Sequence, residues 1–438
     1  MFFLLKTWIL MSKKKYKILL LFVLIVGISV LGKFIFFKKH SLLRPDVTII
    51  GNIVMADGIG RQTAELAKAL SEKYRVQIKG KILSSNDLPS KIKKLCKKKY
   101  KKQGKIVILE DCLWFNGHEI GSHFKTARND EEIRFAYSML ESTRIPYEWV
   151  LYLNLYFDAV IVPDPFLIDA YKNSGVTLPI FHIPLAVNID KFLQRPIKKR
   201  KENNPMVFAN LSSAHNRKNQ VTLIKSFTKV LGNNPKAMLV INSRGGFDET
   251  KNNIKKAINE SGCSNIHFSN FQLKGDAYLN FFENVDCYVS LSKGEGFSIQ
   301  PREAMALGIP VIATNNTGQT TICQSGLVKA VKSNVLIPAD YQEYLPSVGQ
   351  MFDCTVDDAA EAFLDVFHNY DQYLQQKEEA RKWASQYSYS NKNLTQLYET
   401  VINPKEVYIG SKNVISKDGI ETTSSELYKK YKRLILRS

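Results

Sequence analysis

The sequence predicts an α/β protein made of two doubly wound domains in tandem, with a cleft between them and a transmembrane helix in front of them. Three observations lead to this expectation. Apolar β-branched runs alternate with segments of helical spacing over most of the 438 residues, which is the pattern of parallel βα units. A polar, proline-containing break interrupts this alternation before the middle of the chain. An apolar run of twenty residues lies near its start.

The composition is that of a folded, enzyme-sized protein. Apolar residues make up 45% and charged residues 23%, close to average globular usage, which excludes a disordered or collagen-like chain. The 61 basic and 41 acidic side chains give a net charge of +20, so nucleic acid, an anionic membrane or a phosphorylated substrate is an expected partner. The six cysteines lie singly, without zinc or disulfide spacing, and indicate buried thiols in a reducing compartment.

Residues 1–40 are predicted to be a basic segment followed by a membrane anchor, with the helix at about residues 18–37. The run ILLLFVLIVGISVLGKFIFF carries one charge, Lys33, and is long enough to cross about 30 Å of hydrocarbon. A cleaved signal peptide is the alternative, but the run is long for one and no small-residue cleavage pattern follows it. Lysines flank both ends, so the positive-inside comparison leaves the orientation open.

A second basic feature is the run KIKKLCKKKYKKQGK at residues 91–105, which has nine lysines in fifteen positions. It is expected to contact membrane lipids, because the chain already has a predicted membrane helix. A solvated helix face is the main alternative. Nucleic acid is the third option and is not the expected partner.

The first domain, residues 41–195, is predicted to be Rossmann-like and to hold the acceptor. An apolar run at 46–51 precedes a glycine-containing turn and a segment of helical spacing at 61–70. Further apolar runs at 105–109 and 157–162 are expected to be parallel strands. Residues 183–204 lose periodicity and gain proline and charge, which is typical of a linker.

The second domain, residues 196–400, is predicted to repeat the same plan. Strands are expected at 206–211, 237–242, 265–268, 286–291 and 310–313. Helices are expected at 220–231, 251–261, 275–283, 301–307, 357–370 and 374–387. Residues 401–438 are predicted to be a basic tail, either a surface helix or disordered.

The segment SKGEGFSIQPREAMALGIPVIATNNT at residues 292–317 is the most informative one. A glycine-bearing loop follows a predicted strand, and Pro301 occupies the expected first turn of a helix, where its missing N–H costs nothing. The loop and helix start would therefore present backbone N–H groups to a phosphate. Glu295 and Glu303 are separated so that their carboxylates straddle this turn.

The stretch EGFSIQPREAMALGIPVIAT resembles the signature of glycosyltransferase family 4, which comprises retaining enzymes of the GT-B fold and is marked by Glu, seven residues, Glu. The resemblance covers roughly residues 46 to 400 and includes DGIGRQTAELAKAL, YSMLESTRIPYEWVLYLNLYFDAVIVPDPF, SGVTLPIFHIPLAVNIDKF and FANLSSAHNRKNQVTLIKSF. It implies a GT-B fold, with the donor on the second domain and the acceptor on the first.

The resemblance also implies roles for individual residues. Glu303 would hold the ribose hydroxyls of a sugar nucleotide, and Glu295 would contact the donor sugar near the reacting carbon. Lys218 matches the lysine that binds the diphosphate, while the arginine that often precedes it is absent or replaced by Arg217. The backbone of the loop residues would bind the sugar and the diphosphate: Gly296, Phe297 and Ser298. The chain has no Asp-x-Asp motif, so no metal and no other cofactor is expected.

Four first-domain residues complete the candidate site. Gly60 is expected to let the backbone approach the donor and Gly58 to do so on the acceptor side. His118, in FNGHEIGSH, lies where the family often places a catalytic histidine, although its flanking residues match poorly and a loop histidine without a role is the alternative. Glu141 resembles a glutamate of one branch of the family on the acceptor side, and helix capping is its alternative.

The function expected from the resemblance is hexose transfer from a nucleoside diphosphate sugar to a hydroxyl of a lipid-linked, glycan or protein acceptor, with retention and without metal. Free thiols and the cytosolic pool of sugar nucleotides favour a membrane-anchored enzyme with a cytoplasmic catalytic domain. A non-catalytic GT-B scaffold that binds nucleotide sugar or glycan is the alternative. A nicotinamide-dependent oxidoreductase is disfavoured, because no G-x-G-x-x-G motif opens either domain.

Overall fold

A computed structural model describes residues 44–388, except 55–57, 81, 84–87, 99, 111–113, 116–117, 120–131, 186, 198–203, 274 and 343–346. The predicted membrane helix at 18–37 and the predicted basic tail at 401–438 lie outside the described residues. Among the described helices, none has the length and apolar character that crossing a membrane requires.

The first domain is built on a six-stranded parallel sheet with helices packed on it. Its elements are β1 (Val47–Ile50), β2 (Ile53–Val54), α1 (Gly58–Leu70), β3 (Val76–Lys79), β4 (Ile82–Leu83), α2 (Ser90–Lys97), β5 (Ile106–Leu109), β6 (Trp114–Phe115), β7 (His118–Glu119), β8 (Ile133–Tyr137), α3 (Tyr147–Tyr156), β9 (Ala159–Val162), α4 (Phe166–Asn173) and β10 (Ile180–His182). The strand order is β10-β9-β8-β5-β1-β3. Every pair in this sheet is parallel.

Burial explains why these runs form a doubly wound sheet. All four residues of β1 are buried, and so are all four of β9, as expected for parallel strands that are covered on both faces. Helix α1 buries Leu66, Ala67 and Leu70, the positions whose spacing predicted a helix. The carboxyl ends of the strands all lie at one edge of the sheet. Helix α1 begins at Gly58, so Gly58 and Gly60 lie in its first turn and not in the loop that the sequence predicted before a helix at 61–70.

The second domain repeats the plan with a second six-stranded parallel sheet. Its elements are α5 (Asp190–Leu193), β11 (Met206–Ala214), a 3₁₀ turn (Asn216–Lys218), α6 (Gln220–Leu231), β12 (Ala237–Gly246), α7 (Asp248–Ser261), β13 (Ile266–Ser269), α8 (Asp276–Glu283), β14 (Cys287–Ser290), α9 (Ile299–Ala306), β15 (Val311–Thr314), α10 (Thr317–Cys323), β16 (Lys329–Val331), β17 (Val335–Pro338), β18 (Gln350–Asp353), α11 (Val356–His368), α12 (Tyr370–Gln375) and α13 (Lys377–Ser385). The strand order is β13-β12-β11-β14-β15-β16, and β17 and β18 form an antiparallel hairpin.

The two-domain α/β prediction is confirmed, with local corrections. The predicted linker at 183–204 contains the short helix α5 and buried side chains, among them Ile183 and Phe192. The helix predicted at 374–387 is two helices, α12 and α13, that meet near Gln376. The domain limits at residues 40, 195 and 400 stay predictions.

Candidate active site

The loop between β14 and α9 lies against the first domain, and its glycines permit this contact. A Cβ atom on Gly294 would lie 2.1 Å from the carbonyl oxygen of Glu141, and one on Gly296 would lie 3.2 Å from Met139. Both partners belong to the segment that follows β8. The loop that carries Glu295 is therefore a cleft loop, as predicted, and it forms part of the contact between the domains.

Glu295 is buried at 7% exposure and surrounded by polar partners. Its carboxylate accepts hydrogen bonds from Lys218, from Arg217 at 3.2 Å and from the Ser292 hydroxyl at 2.7 Å. Burial alone would raise its pKa, but Lys218 and Arg217 outweigh burial and lower the pKa to about 2. Glu295 is thus a permanent carboxylate between two cations.

Arg217 joins the second domain to the first. Its guanidinium lies 2.8 Å from the Glu141 carboxylate and 3.2 Å from that of Glu295, and it donates to the Gly294 carbonyl at 3.0 Å. Burial and the neighbouring Arg217 lower the pKa of Lys218, although Glu295 acts in the opposite direction. The structure therefore brings together four predicted residues from three separate segments of the chain, in one partly buried cluster of two acids and two cations: Glu141, Arg217, Lys218 and Glu295.

Glu303 is fully buried on α9 and is paired across the cleft. Arg61 of α1 lies 2.7 Å from one carboxylate oxygen, and the Tyr278 hydroxyl donates to the other. Burial and Glu303 both raise the pKa of Tyr278, while Glu303 raises that of Arg61 against the effect of burial. Arg61, a cation of the first domain, is therefore paired with the Glu303 carboxylate, which was expected to bind the ribose hydroxyls.

Arg61 and Tyr278 were not predicted from the sequence. For Arg61 a signal existed, because it lies in the first turn of α1, directly after the glycine loop. A cation there opposes the helix dipole, which suggests an anionic partner from outside the helix. Tyr278 lies on α8 with no comparable local signal.

The glycine-containing start of α1 lies against α9. A Cβ atom on Gly58 would lie 3.2 Å from Ile299, the first residue of α9. Gly60 is buried in the same turn. His118 lies in β7, a short strand paired with β6, instead of the predicted loop. Its side chain lies outside the described part of the structure, so its catalytic role stays a prediction.

Helix α9 begins earlier than Pro301 predicted. It starts at Ile299, so Glu303 is its fifth residue and not about its third. Ser298 caps it in a left-handed conformation with φ of 67°, which turns the chain sharply from loop to helix. The loop between β14 and α9 and this turn lie on the cleft side, next to Gly58.

Arg302 stabilises the loop between β14 and α9. It is fully buried, donates to the carbonyl oxygens of Phe297 and Ser298, and stacks 3.8 Å from the centre of the Phe297 ring. The Tyr387 ring, which follows α13, contacts the same guanidinium, with its centre 4.6 Å away, and packs edge-on against the Phe297 ring. The conformation of the loop therefore depends on a residue to which the sequence analysis gave no role.

A buried carboxyl group, Glu110, lies at the carboxyl end of β5. It is 1% exposed, and neither of its oxygens has a hydrogen bond of normal geometry. Burial raises its pKa to about 8, which Thr63 and Gln62 of α1 only partly counteract. Glu110 is therefore mainly protonated at neutral pH, beneath the helix that carries Arg61.

Among the described residues, no group of three or more His, Cys, Asp or Glu side chains is arranged to hold a metal ion. Five cysteines are described, and all five are free thiols. Cys112 lies outside the described residues.

Comparisons with known proteins agree with this geometry. The family model "Glycosyl transferases group 1" matches residues 191–383, a range that contains all the second-domain site residues. The uncharacterized glycosyltransferase MJ1059 of Methanocaldococcus jannaschii is 31% identical over 140 residues, which cover 30% of this chain and 33% of that protein. The chain thus matches about a third of the length of this relative.

Solved structures share the fold at low sequence identity. Anabaena Alr3699/HepE, solved in complex with UDP and glucose, has a TM-score of 0.60 and 11% identity, and the match covers 82% of this chain and 100% of that chain. A glycosyltransferase from Rickettsia africae ESF-5 has a TM-score of 0.59 and 16% identity, with 84% and 100% covered.

These findings define the class. Residues 191–383 match the glycosyltransferase group 1 model, and the fold is GT-B-like, with two Rossmann-like parallel-sheet domains. Together they support a nucleotide-sugar glycosyltransferase. Assignment to family 4 stays a prediction.

Proposed function

We propose that the protein is a retaining, metal-independent glycosyltransferase that moves a hexose from a nucleoside diphosphate sugar to a hydroxyl of a lipid-linked, glycan or protein acceptor. The single observation that carries the proposal is the partly buried cluster in which Lys218 and Arg217 flank Glu295 at the cleft. In this proposal residues 18–37 anchor the enzyme in a membrane, and its two domains lie on the cytoplasmic side.

The donor is proposed to bind mainly to the second domain. Its ribose hydroxyls take over Glu303 from Arg61, which is the ligand-free partner of that carboxylate. Its diphosphate lies near Lys218 and Arg217, and its sugar lies near Glu295 and the backbone of Gly296. Because the HepE neighbour was solved with UDP and glucose, UDP-sugars are the first donors to test.

The cations serve the leaving group. As the bond between the anomeric carbon and the phosphate oxygen breaks, negative charge develops on the nucleoside diphosphate, and fixed positive charges at that position lower the barrier. The acceptor oxygen forms its bond on the same face, and its proton passes to the leaving phosphate oxygen. The partly buried ammonium of Lys218 and guanidinium of Arg217 supply positive charge without rearrangement, which supports a mechanism without metal.

The test is nucleotide release by the full-length protein in detergent, with UDP-, GDP- and ADP-sugars and with a membrane extract as acceptor. We expect release from one donor, unchanged by chelator, with the product showing the anomeric configuration of the donor by NMR. Glu295→Gln should abolish release, whereas Glu283→Gln, which alters a half-exposed ion pair with Arg195, should not. Inversion, or loss of release in chelator, would contradict the proposed mechanism, and binding without release would favour the non-catalytic scaffold.

A further inference from the structure

The described residues of the basic run at 91–105 give the first domain a cationic surface. Helix α2 turns Ile92 and Leu95 into the core. Six of its lysines, in the helix and in the segment after it, are exposed, and the run contains no acidic residue. We call this the lysine surface; it comprises the exposed side chains of Lys93, Lys94, Lys97, Lys98, Lys101 and Lys102.

Three contacts place the lysine surface at the amino edge of the first-domain sheet. At the start of the run, Lys91 pairs with Glu72, which follows the carboxyl end of α1. At its end, the Gly104 amide donates to the Thr48 hydroxyl at 2.9 Å, and the carbonyl of Gln103 accepts from Arg44 at 2.6 Å. Arg44 and Thr48 lie at the amino-terminal end of β1.

The predicted membrane helix joins the fold at this same edge. It ends at Phe37, and the described chain begins at Arg44, so at most about 25 Å of extended chain separates them. An exposed cationic surface this close to a membrane helix is matched in charge to the anionic lipid headgroups beside it, and each lysine near such a surface adds to the attraction.

The cleft lies at the opposite edge. Gly58 and Arg61, which contact α9, lie at the carboxyl ends of the strands, one helix length from Glu72. At about 1.5 Å per residue, the helix from Arg61 to its end spans about 15 Å. The surface that faces the membrane and the cleft are therefore on opposite ends of the first domain.

We propose that the lysine surface docks on an anionic bilayer and that the cleft consequently opens away from it. If the transferase function proposed above holds, on which this step rests, the acceptor hydroxyl must stand at least about 15 Å beyond the headgroups. The acceptor is then the outer end of an extended glycan, and not a single sugar or phosphate carried directly on a membrane lipid.

Orientation is tested on the full-length protein in lipid nanodiscs with fluorescent headgroups. One reporter dye is placed at Ser71, at the lysine-surface end, and in a second preparation at Phe271, an exposed residue after the carboxyl end of β13. We expect stronger energy transfer to the headgroups from residue 71 than from residue 271 in equimolar phosphatidylcholine and phosphatidylglycerol. In pure phosphatidylcholine the difference should shrink. Equal transfer from both sites in anionic discs would overturn the proposal.

Charge variants measure how much each lysine contributes to docking on the bilayer. Lys94→Gln with Lys97→Gln should reduce the docking equilibrium about fivefold per lysine, or about 25-fold for the pair. The matched control is Lys255→Gln with Lys256→Gln, which removes two exposed lysines from α7 and should change nothing. Binding of an RNA homopolymer that displaces the domain from anionic discs would overturn lipid as the partner. If the variant fails to fold, the comparison of anionic with neutral discs still decides.

The acceptor class is tested in the same discs, with a lipid carrying one sugar and the same lipid carrying a long oligosaccharide. Nucleotide release should be stimulated by the long acceptor and not by the short one. Equal stimulation would overturn the inferred acceptor class. Absence of release with either acceptor and every donor would instead refute the proposed function, while the dye measurement, which needs no donor, still decides whether the lysine surface docks.

Discussion

Replacing Glu110 by glutamine is expected to stabilise the first domain at alkaline pH. The carboxyl is 1% exposed, and burial raises its pKa from 4.5 to about 8. Between these values the unfolded chain releases a proton that the folded chain retains, so stability falls as pH rises. At about 1.4 kcal/mol per pH unit, this interval sets an upper limit of about 5 kcal/mol at pH 8. Glutamine has nearly the same shape and no proton to lose.

The measurement is calorimetric unfolding of both proteins at pH 5 and pH 8. The first-domain transition of the variant should lie above that of the wild type at pH 8, by at most about 10–20 °C, and the gap should narrow toward pH 5. Glu65→Gln is the control: Glu65 is also buried, but it faces Lys68 at 3.6 Å, so its replacement should bring no gain. A variant no more stable than the wild type at pH 8, or equally stabilised at both pH values, would refute the reasoning.

Three further predictions concern the cleft. Glu303→Gln should weaken nucleoside diphosphate binding about 10- to 100-fold, because a hydrogen bond to a buried charge is lost; an unchanged Kd in calorimetric titration would argue against ribose binding there. Gly294→Ala, whose new Cβ would lie 2.1 Å from the Glu141 carbonyl, should displace the loop and reduce kcat on the order of a hundredfold, and full activity would show that the domains part during turnover. Burial, Arg217 and Lys218 lower the pKa of His215 to about 4, so the neutral ring contributes stability above pH 6.5 that is lost as pH falls toward 4. In urea unfolding, the free energy of unfolding of His215→Asn should fall by about 2 kcal/mol less than that of the wild type between pH 6.5 and pH 4.

The fold was largely predictable, because parallel strands that are buried on both faces are continuous apolar runs. Strand β8 was not predicted, because its sequence is not a continuous apolar run. Its second residue is Arg134, a charge that interrupts the apolar pattern, and only the fold reveals that this guanidinium is buried and lies 3.1 Å from Glu132. Tertiary pairing, which no local pattern records, made this segment a central strand.

The site residues were predictable where they lie in recognisable motifs, but the pairings between them were not. The spacing of Glu295 and Glu303 identified the loop, and the resemblance added Lys218. The partners that determine the chemistry of the glutamates come from distant segments, since Arg61 and Glu303 are 242 positions apart. The burial of Glu110 likewise follows from the packing of α1 over β5, so its raised pKa has no signature in the sequence.

The most direct test of the central claim is calorimetric titration of UDP, GDP and ADP into the full-length protein in detergent, because every proposed step requires a nucleoside diphosphate at Lys218. The account predicts saturable binding of one nucleotide at a single site, lost or strongly weakened in Lys218→Met. Lys229→Met, which removes an exposed lysine paired with Asp357, should leave binding intact. Failure of all three nucleotides to bind, or binding undiminished in Lys218→Met, would contradict the account.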